Sequence, residues 1–560
     1  MLSAGCPGME LAMDAKLKRM VGQMMMCGFP SLEMDDQVIR LLEDFEVGNY
    51  IYFTRNMKTA GQVARMSKAI SDRVYDKLGV APFISADQEG GAVSRIIEGA
   101  ALISGAMAVA ATVPSGTVAA TEEAAGAASS GKVVRMTREA ALNRVEKLGE
   151  NLGQILRAVG VNFDLAPDMD VNIEPKNPII GARSFGDDPE EVAAKGMAMM
   201  RGMQAGGVMA TLKHFPGHGN VATDSHLDVP HNTTSWEELE KTEFLPFEKA
   251  IAGGAAGIMT AHVCYDKVDP DTPGTLSKII QTGLLREKYG FDGIAMTDCM
   301  EMDAIRANMG TGEGAVRAIE AGIDIVTISH TYEAAKQAAE AIYAAIESGR
   351  LTEERIQQSY DRIMKMKEKM GLLERQDIDE EKAAKVIMAA DKLMLCREVA
   401  TDSITLLKGN VKLDLEKPDF LVIAPDSAAS TGAEDMRAVS FADRAAARFG
   451  CLAAKIPLNG EADAAKAMLE SAVKMGFKKV VLGLFNARFR EGQVKVLREL
   501  EEMVGVQLTV VLLGAPYDYP LIQRADGIVC SYEYTALSVE ALLDALASGE
   551  YAGESPVKYE

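Results

Sequence analysis

Apolar residues along the chain gather into short unbroken runs that recur at wide intervals. Eight of them, QMMMCGF, NYIYF, FISAD, VNFDLAPDMDV, VMATLKHF, GIMTAHV, GIAMTD and DIVTIS, read as parallel strands buried on both faces. Between most of these lie longer stretches, such as DDQVIRLLEDF, PEEVAAKGMAMMRGMQAG and GEGAVRAIEAG, whose apolar positions return with helical spacing. Strand alternating with helix eight times predicts an α/β chain built on a (β/α)8 TIM-type barrel that finishes near Leu373, so that a catalytic domain occupies residues 1–372. LTEERIQQSYDRIMKMKEKMGLL then reads as a long amphipathic helix, and the charged RQDIDEEKAAK with the helix after it forms a helical linker over 373–400. Strand-like runs resume in SITLLKG, DFLVIAP, KVVLGLF, LTVVLLG and GIVCSYEY, which predict a smaller α/β sandwich domain over 401–560. That half carries no GxGxxG or Walker sequence, which leaves nucleotide binding without support. The Ala, Gly, Ser and Thr of 101–131 lack large apolar partners in their second half, which reads as a flexible surface insertion.

Polar residues cluster where the barrel runs end: Asp87, then Asp168 and Asp170, then Lys213 and His214, His262, and Asp298. Barrel enzymes assemble their active sites at that face from the ends of several strands. Any one such residue can equally close a loop or cap a helix; five of eight strands ending this way points to a site.

The stretch KHFPGHGNVATDSH, 213–226, holds three of the six histidines. His214 and His218 have the four-residue spacing of a helical zinc pair, but Pro216, Gly217 and Gly219 break the helix such a pair needs. No metal and no cofactor are therefore expected. Composition adds little until charge is counted: 59 basic against 81 acidic residues give a net charge of −22, which repels a phosphate backbone and excludes nucleic acid as a partner. Seven scattered cysteines without CxxC spacing fit a reduced compartment. SAGC near the start resembles a lipoprotein cleavage box, but no apolar segment precedes it and no run reaches membrane-spanning length. The expected location is cytoplasmic, with no membrane partner.

DQEGG (87–91), NFDLAPDMDV (162–171), NPIIGARSFG (177–186), KHFPGHG with DSHLDVP (213–219 and 224–230), GIMTAH (257–262) and FDGIAMTDCMEM (291–302) occur jointly and in this order. In these motifs the chain resembles glycoside hydrolase family 3, specifically its two-domain β-N-acetylglucosaminidases. The resemblance implies a retaining hydrolase that removes terminal N-acetylglucosamine from glycosides containing it, with peptidoglycan or chitin fragments as the natural material. It implies Asp298 as the nucleophile forming a covalent glycosyl intermediate, His226 as proton donor and Asp224 as the partner of that histidine. An imidazole titrates near neutral pH, so this pairing needs no carboxylic acid with a raised pKa. Lys213 and His214 would donate to sugar hydroxyls, Asp87 would accept from them, and Arg95 and Arg183 stand at positions the family uses near substrate, although either also suits a structural ion pair. His218 is read as a loop support and His262 as filling the barrel mouth. Asp at 298 also suits the N-cap of the helix that follows.

The chain departs from the family at Ala92, where an arginine usually follows DQEGG, which leaves the third loop open. Cys299 as a competing nucleophile would need an adjacent base. Rival readings are a phosphorylase on the same site, since a histidine donor adds no negative charge to repel phosphate, and a family 3 β-glucosidase or xylosidase. A barrel metallohydrolase and a non-catalytic sugar-binding role stand further off.

Overall fold

The structure is a computed structural model that describes residues 14–95, 100–116, 136–222, 229–414, 418–429, 434, 438–459 and 477–559. Eight parallel strands close into a barrel: β1 (Met25–Cys27), β2 (Asn49–Tyr52), β3 (Phe83–Ala86), β4 (Phe163–Asp164), β5 (Met209–Phe215), β6 (Gly257–Thr260), β7 (Ile294–Cys299) and β8 (Ile325–Ile328), with β8 pairing back onto β1. Each of the eight apolar runs supplies one strand. The strands from β1 to β6 are wholly buried, as runs covered on both faces must be. Phe83 and Phe163 meet edge to face at 5.3 Å inside the barrel.

The surrounding helices begin where the sequence offers caps. Asp188 accepts from the backbone N–H groups of Glu190 and Glu191, Pro189 starts the first turn, and the helix Pro189–Ala205 follows. It packs so closely on the helix Arg138–Ala158 that a Cβ at Gly202 would lie 1.9 Å from the Glu146 carbonyl oxygen.

The second sheet runs in the order β9 (Thr405–Lys408), β14 (Gly527–Cys530), β13 (Gln507–Leu512), β12 (Lys479–Leu484), β10 (Phe420–Ala424) and β11 (Leu452–Lys455). Only the β9–β14 pair is antiparallel. The strand β11 went unread in the sequence because it is an edge strand with three of four residues partly or wholly exposed. The helix Ala390–Ser403 crosses from one body to the other, with Cys396 and Val399 in the barrel core and Ala400 in the core of the second domain.

Both domains present the carboxyl ends of their strands to each other. The residues after β12, β13 and β14, among them Phe485, Gly514 and Tyr532–Tyr534, face Gly90, Gly105 and Ile179–Arg183 of the barrel loops across a cavity of about 320 Å³. Glu533 accepts from the Gly105 N–H at 2.6 Å, and Arg488 donates to the Pro175 carbonyl at 3.1 Å. Gly91 has φ 56° and would drive a Cβ to 2.6 Å from the Glu533 carboxylate, so the second glycine of DQEGG serves both a left-handed turn and the approach of the second domain. The first half of the Ala-rich segment is part of this joint: in the helix Ala106–Ala111 every residue is buried, with Ala106, Val109 and Ala110 in the barrel core and Met107, Ala108 and Ala111 in that of the second domain. Most of the second half, expected as a surface insertion, lies outside the described residues. Among the described residues no helix is long and apolar enough to cross a membrane.

Candidate active site

A cavity of about 530 Å³ opens at the carboxyl ends of the barrel strands. Asp87, Arg95, Arg183, Lys213, His214 and Asp298 all line it. Asp224 and His226 lie outside the described residues.

Strand geometry explains how neighbouring residues share this wall. Successive side chains of a regular strand point to opposite faces. Against β6 the register of β5 shifts between Leu212 and Phe215, and against β8 the register of β7 shifts between Met296 and Cys299. At both shifts two consecutive residues reach the cavity, Lys213 with His214 and Asp298 with Cys299. Thr297 and Thr327 fasten the second shift: the Thr327 N–H donates to Thr297 Oγ1 at 2.9 Å and the Thr327 hydroxyl to the Thr297 carbonyl at 3.0 Å. The Asp298 carboxylate accepts from the Cys299 N–H at 2.7 Å.

The charged floor is a chain of paired groups. Lys213 Nζ lies 2.7 Å from Asp87 and 2.6 Å from Glu89. Arg183 grips both oxygens of Glu89 at 2.7 and 2.9 Å and stands 3.6 Å from Asp168, while Arg95 meets Asp87 at 3.3 Å. Burial pushes the carboxyls of Asp87 and Glu89 up, but their cations outweigh it and hold both below the usual carboxylate range; for Lys213 burial pulls down and the two carboxylates hold it above its own. These groups stay charged at neutral pH. Burial, then the Asp170 charge, raises Asp168 well above the carboxylate range.

Asp170 organises the histidine loop. It accepts from the N–H of His218 at 2.6 Å and from the N–H of His214 at 3.2 Å, and its Oδ2 lies 2.7 Å from His214 Nδ1. Burial opposes its charge, yet the two imidazoles beside it keep its pKa low. With Nδ1–H donating to Asp170, a neutral His214 offers Nε2 as an acceptor and becomes a donor there only as imidazolium. The expected donor role of His214 toward a sugar hydroxyl therefore requires the protonated ring. His218 is buried, and burial followed by the neighbouring His214 lowers it to about 4, so it is neutral where the loop needs packing rather than charge. His218 lines the cavity, whereas His262 lies off its wall; the His262 Nε2 donates to the Cys299 carbonyl at 3.1 Å and its Nδ1 faces Thr275 Oγ1 at 2.8 Å, which ties β6 to the end of β7. Burial pushes the Cys299 thiol up to about 12, which removes the thiolate a cysteine nucleophile requires.

Sequence reading gave Glu89 and Asp170 no role of their own, and it passed over Phe53, Arg55 and Arg306, which also line the cavity. Phe53 and Arg55 directly follow β2, so the rule that sites sit at carboxyl strand ends would have found them. Arg55 stacks over Phe53 at 4.4 Å and donates to the Phe29 and Ser329 carbonyls at 3.0 and 2.6 Å.

Residues 16–366 match the glycosyl hydrolase family 3 N-terminal domain. The solved structure of a glycoside hydrolase family 3 β-N-acetylglucosaminidase from Paenibacillus sp. str. FPU-7 superposes with a TM-score of 0.85 at 32% identity, covering 97% of this chain and 99% of that one. A β-hexosaminidase from Xylella fastidiosa (strain M12) is 32% identical over 308 residues, 55% of this chain and 83% of the relative. Beta-hexosaminidase A from Pseudoalteromonas piscicida is 29% identical over 365 residues, 61% of this chain; the match spans 57% of that longer relative.

Proposed function

Because the chain belongs to glycoside hydrolase family 3, we propose that it is a retaining β-N-acetylglucosaminidase that releases terminal N-acetylglucosamine from peptidoglycan or chitin fragments. The observation that carries this reading is the placement of one carboxylate, Asp298, in the same cavity as the paired floor of Asp87, Lys213, Arg95 and Glu89. The relatives named as β-hexosaminidases and β-N-acetylglucosaminidase support the choice of sugar.

Asp87, held charged by Lys213 and Arg95, accepts from sugar hydroxyls, while Lys213 donates to them. Both already sit in their ion pairs, so little reorganisation accompanies binding. Asp298 attacks the anomeric carbon as the aglycone leaves, and the glycosyl ester on its carboxylate is then hydrolysed. His226, oriented by Asp224, protonates the leaving oxygen in the first step and takes a proton from water in the second.

The test compares two variants on two substrates. Asp298→Ala abolishes turnover of every glycoside. His226→Ala loses roughly 10² to 10⁴-fold on a sugar aglycone, which leaves as an alkoxide, and far less on a dinitrophenyl glycoside, which departs without a proton. On the activated substrate it gives a burst of phenolate, with the sugar attached to Asp298 by mass spectrometry. Equal losses on both substrates without an accumulating intermediate would remove His226 from this role. An aryl N-acetylglucosaminide should also exceed the aryl glucoside in kcat/KM, and assaying with and without phosphate separates free sugar from sugar 1-phosphate as product.

A further inference from the structure

Three side chains at the rim of the cavity take no part in the mechanism above. Cys299 ends β7, Glu301 follows two residues later, and His330 stands two residues beyond β8. The thiol sulfur, a carboxylate oxygen and a ring nitrogen of these residues lie within 4.8 Å of one another. We propose that Cys299, Glu301 and His330 form a site for one thiophilic divalent cation of the Zn²⁺ class, and that filling it blocks the sugar cavity.

The donor set is one sulfur, one nitrogen and one oxygen; zinc takes all three, whereas magnesium and calcium take only the oxygen. The frame is built rather than loose. Glu301 Oε2 accepts from the His330 N–H at 2.7 Å and Oε1 from the Thr331 hydroxyl at 2.8 Å, so the loops after β7 and β8 are already joined through the proposed ligand. The His330 ring leans on Phe53, with centroids 5.4 Å apart. The register shift that brings Asp298 to the cavity brings Cys299 there as well, which a regular strand would have turned to the opposite face.

Three protein ligands that all line an open cavity leave at least one coordination position to water, the pattern of an exchangeable site rather than a closed structural one. Arg55 is the cation whose charge reaches His330, and it weakens the site. The thiol binds as thiolate, so each cation that enters releases the Cys299 proton to solvent and affinity falls in acid. Since Cys299 directly follows Asp298, a bound cation and its water occupy the space a sugar would need. That inhibitory consequence rests on the glycosidase reading; the binding itself does not.

The test uses the full chain with Co²⁺ and Zn²⁺ as probes. Co²⁺ should produce a thiolate-to-metal charge-transfer band in the near ultraviolet, and Zn²⁺ should bind one per chain by calorimetry. Cys299→Ser should lose the band, and both it and His330→Ala should bind Zn²⁺ roughly tenfold or more weakly, the histidine variant keeping the band at high Co²⁺. Zn²⁺ should inhibit aryl N-acetylglucosaminide turnover by the parent chain at concentrations that leave Cys299→Ser unaffected. No band in the parent, or a band and affinity unchanged in Cys299→Ser, would overturn the assignment. Should the parent chain turn over no glycoside at all, the functional reading fails, while the cobalt band and the calorimetry still decide the site.

Discussion

Glu89→Gln keeps the outline of the side chain and removes one negative charge from the floor of the cavity. Glu89 is 5% exposed and lies within 2.7 Å of Arg183 and 2.6 Å of Lys213. Orphaning a buried charge costs about 3–5 kcal/mol. Neither cation is orphaned entirely, because Lys213 keeps Asp87 at 2.7 Å and the charge of Asp170, whose pKa stays low, still reaches Arg183. The expected loss is therefore about 2–3 kcal/mol. Lys213→Met in the same background removes a cation and restores the balance, so the double variant should be more stable than the sum of the singles by about 1–3 kcal/mol. The single tryptophan makes this measurable: Trp236 sits in the barrel half, in the helix Trp236–Leu239, and its fluorescence during urea unfolding reports the barrel rather than the second domain. Loosening Lys213 and Arg183 should also lower kcat/KM on an aryl N-acetylglucosaminide by about 10². Additivity within about 0.5 kcal/mol, or a Glu89→Gln variant as stable as its parent, would refute the reasoning.

Folded His218 titrates at about 4 against an ordinary 6.5, so its contribution to stability is present above 6.5 and is lost as pH falls toward 4. The loss is up to about 3 kcal/mol, and His218→Gln should flatten that acid limb in urea titrations followed by Trp236. Glu533 moves the other way: burial raises its carboxyl to about 7 from 4.5, so its contribution is present below 4.5 and is lost as pH rises through 7. Glu533→Gln should raise the melting temperature at pH 8 and leave it unchanged at pH 4, below the unfolded value, as calorimetry would show. Dialysis against a chelator should leave turnover at or above its starting rate; a loss restored by a divalent ion would contradict the metal-free mechanism.

The barrel was legible because parallel strands covered on both faces must be apolar throughout, and each of the eight runs carries that mark. Asp87, Lys213, His214 and Asp298 were legible because polar residues at the ends of such runs stand against the pattern. Pairing between distant segments was not. The Glu89–Arg183 contact joins residues 94 positions apart and the His214–Asp170 contact residues 44 apart, distances over which a single sequence carries no trace of who meets whom. β4 shrank to Phe163–Asp164 from a run that reads much longer, because Pro167 has no N–H to give to a ladder. The exposed edge strand β11 escaped for the opposite reason, an apolar pattern too weak to distinguish from a loop.

The helix Ala106–Ala111 has a bearing on modularity. Its six residues belong by chain order to a barrel loop, yet three of them complete the interior of the other domain. A cut between the two bodies would leave the first with Met107, Ala108 and Ala111 bared to water and the second with a gap where they had been. Transplanting the second domain onto a barrel of another relative would fail unless that loop travelled with it. The heritable unit of this architecture is therefore a barrel insertion and a separate domain that can only be exchanged together.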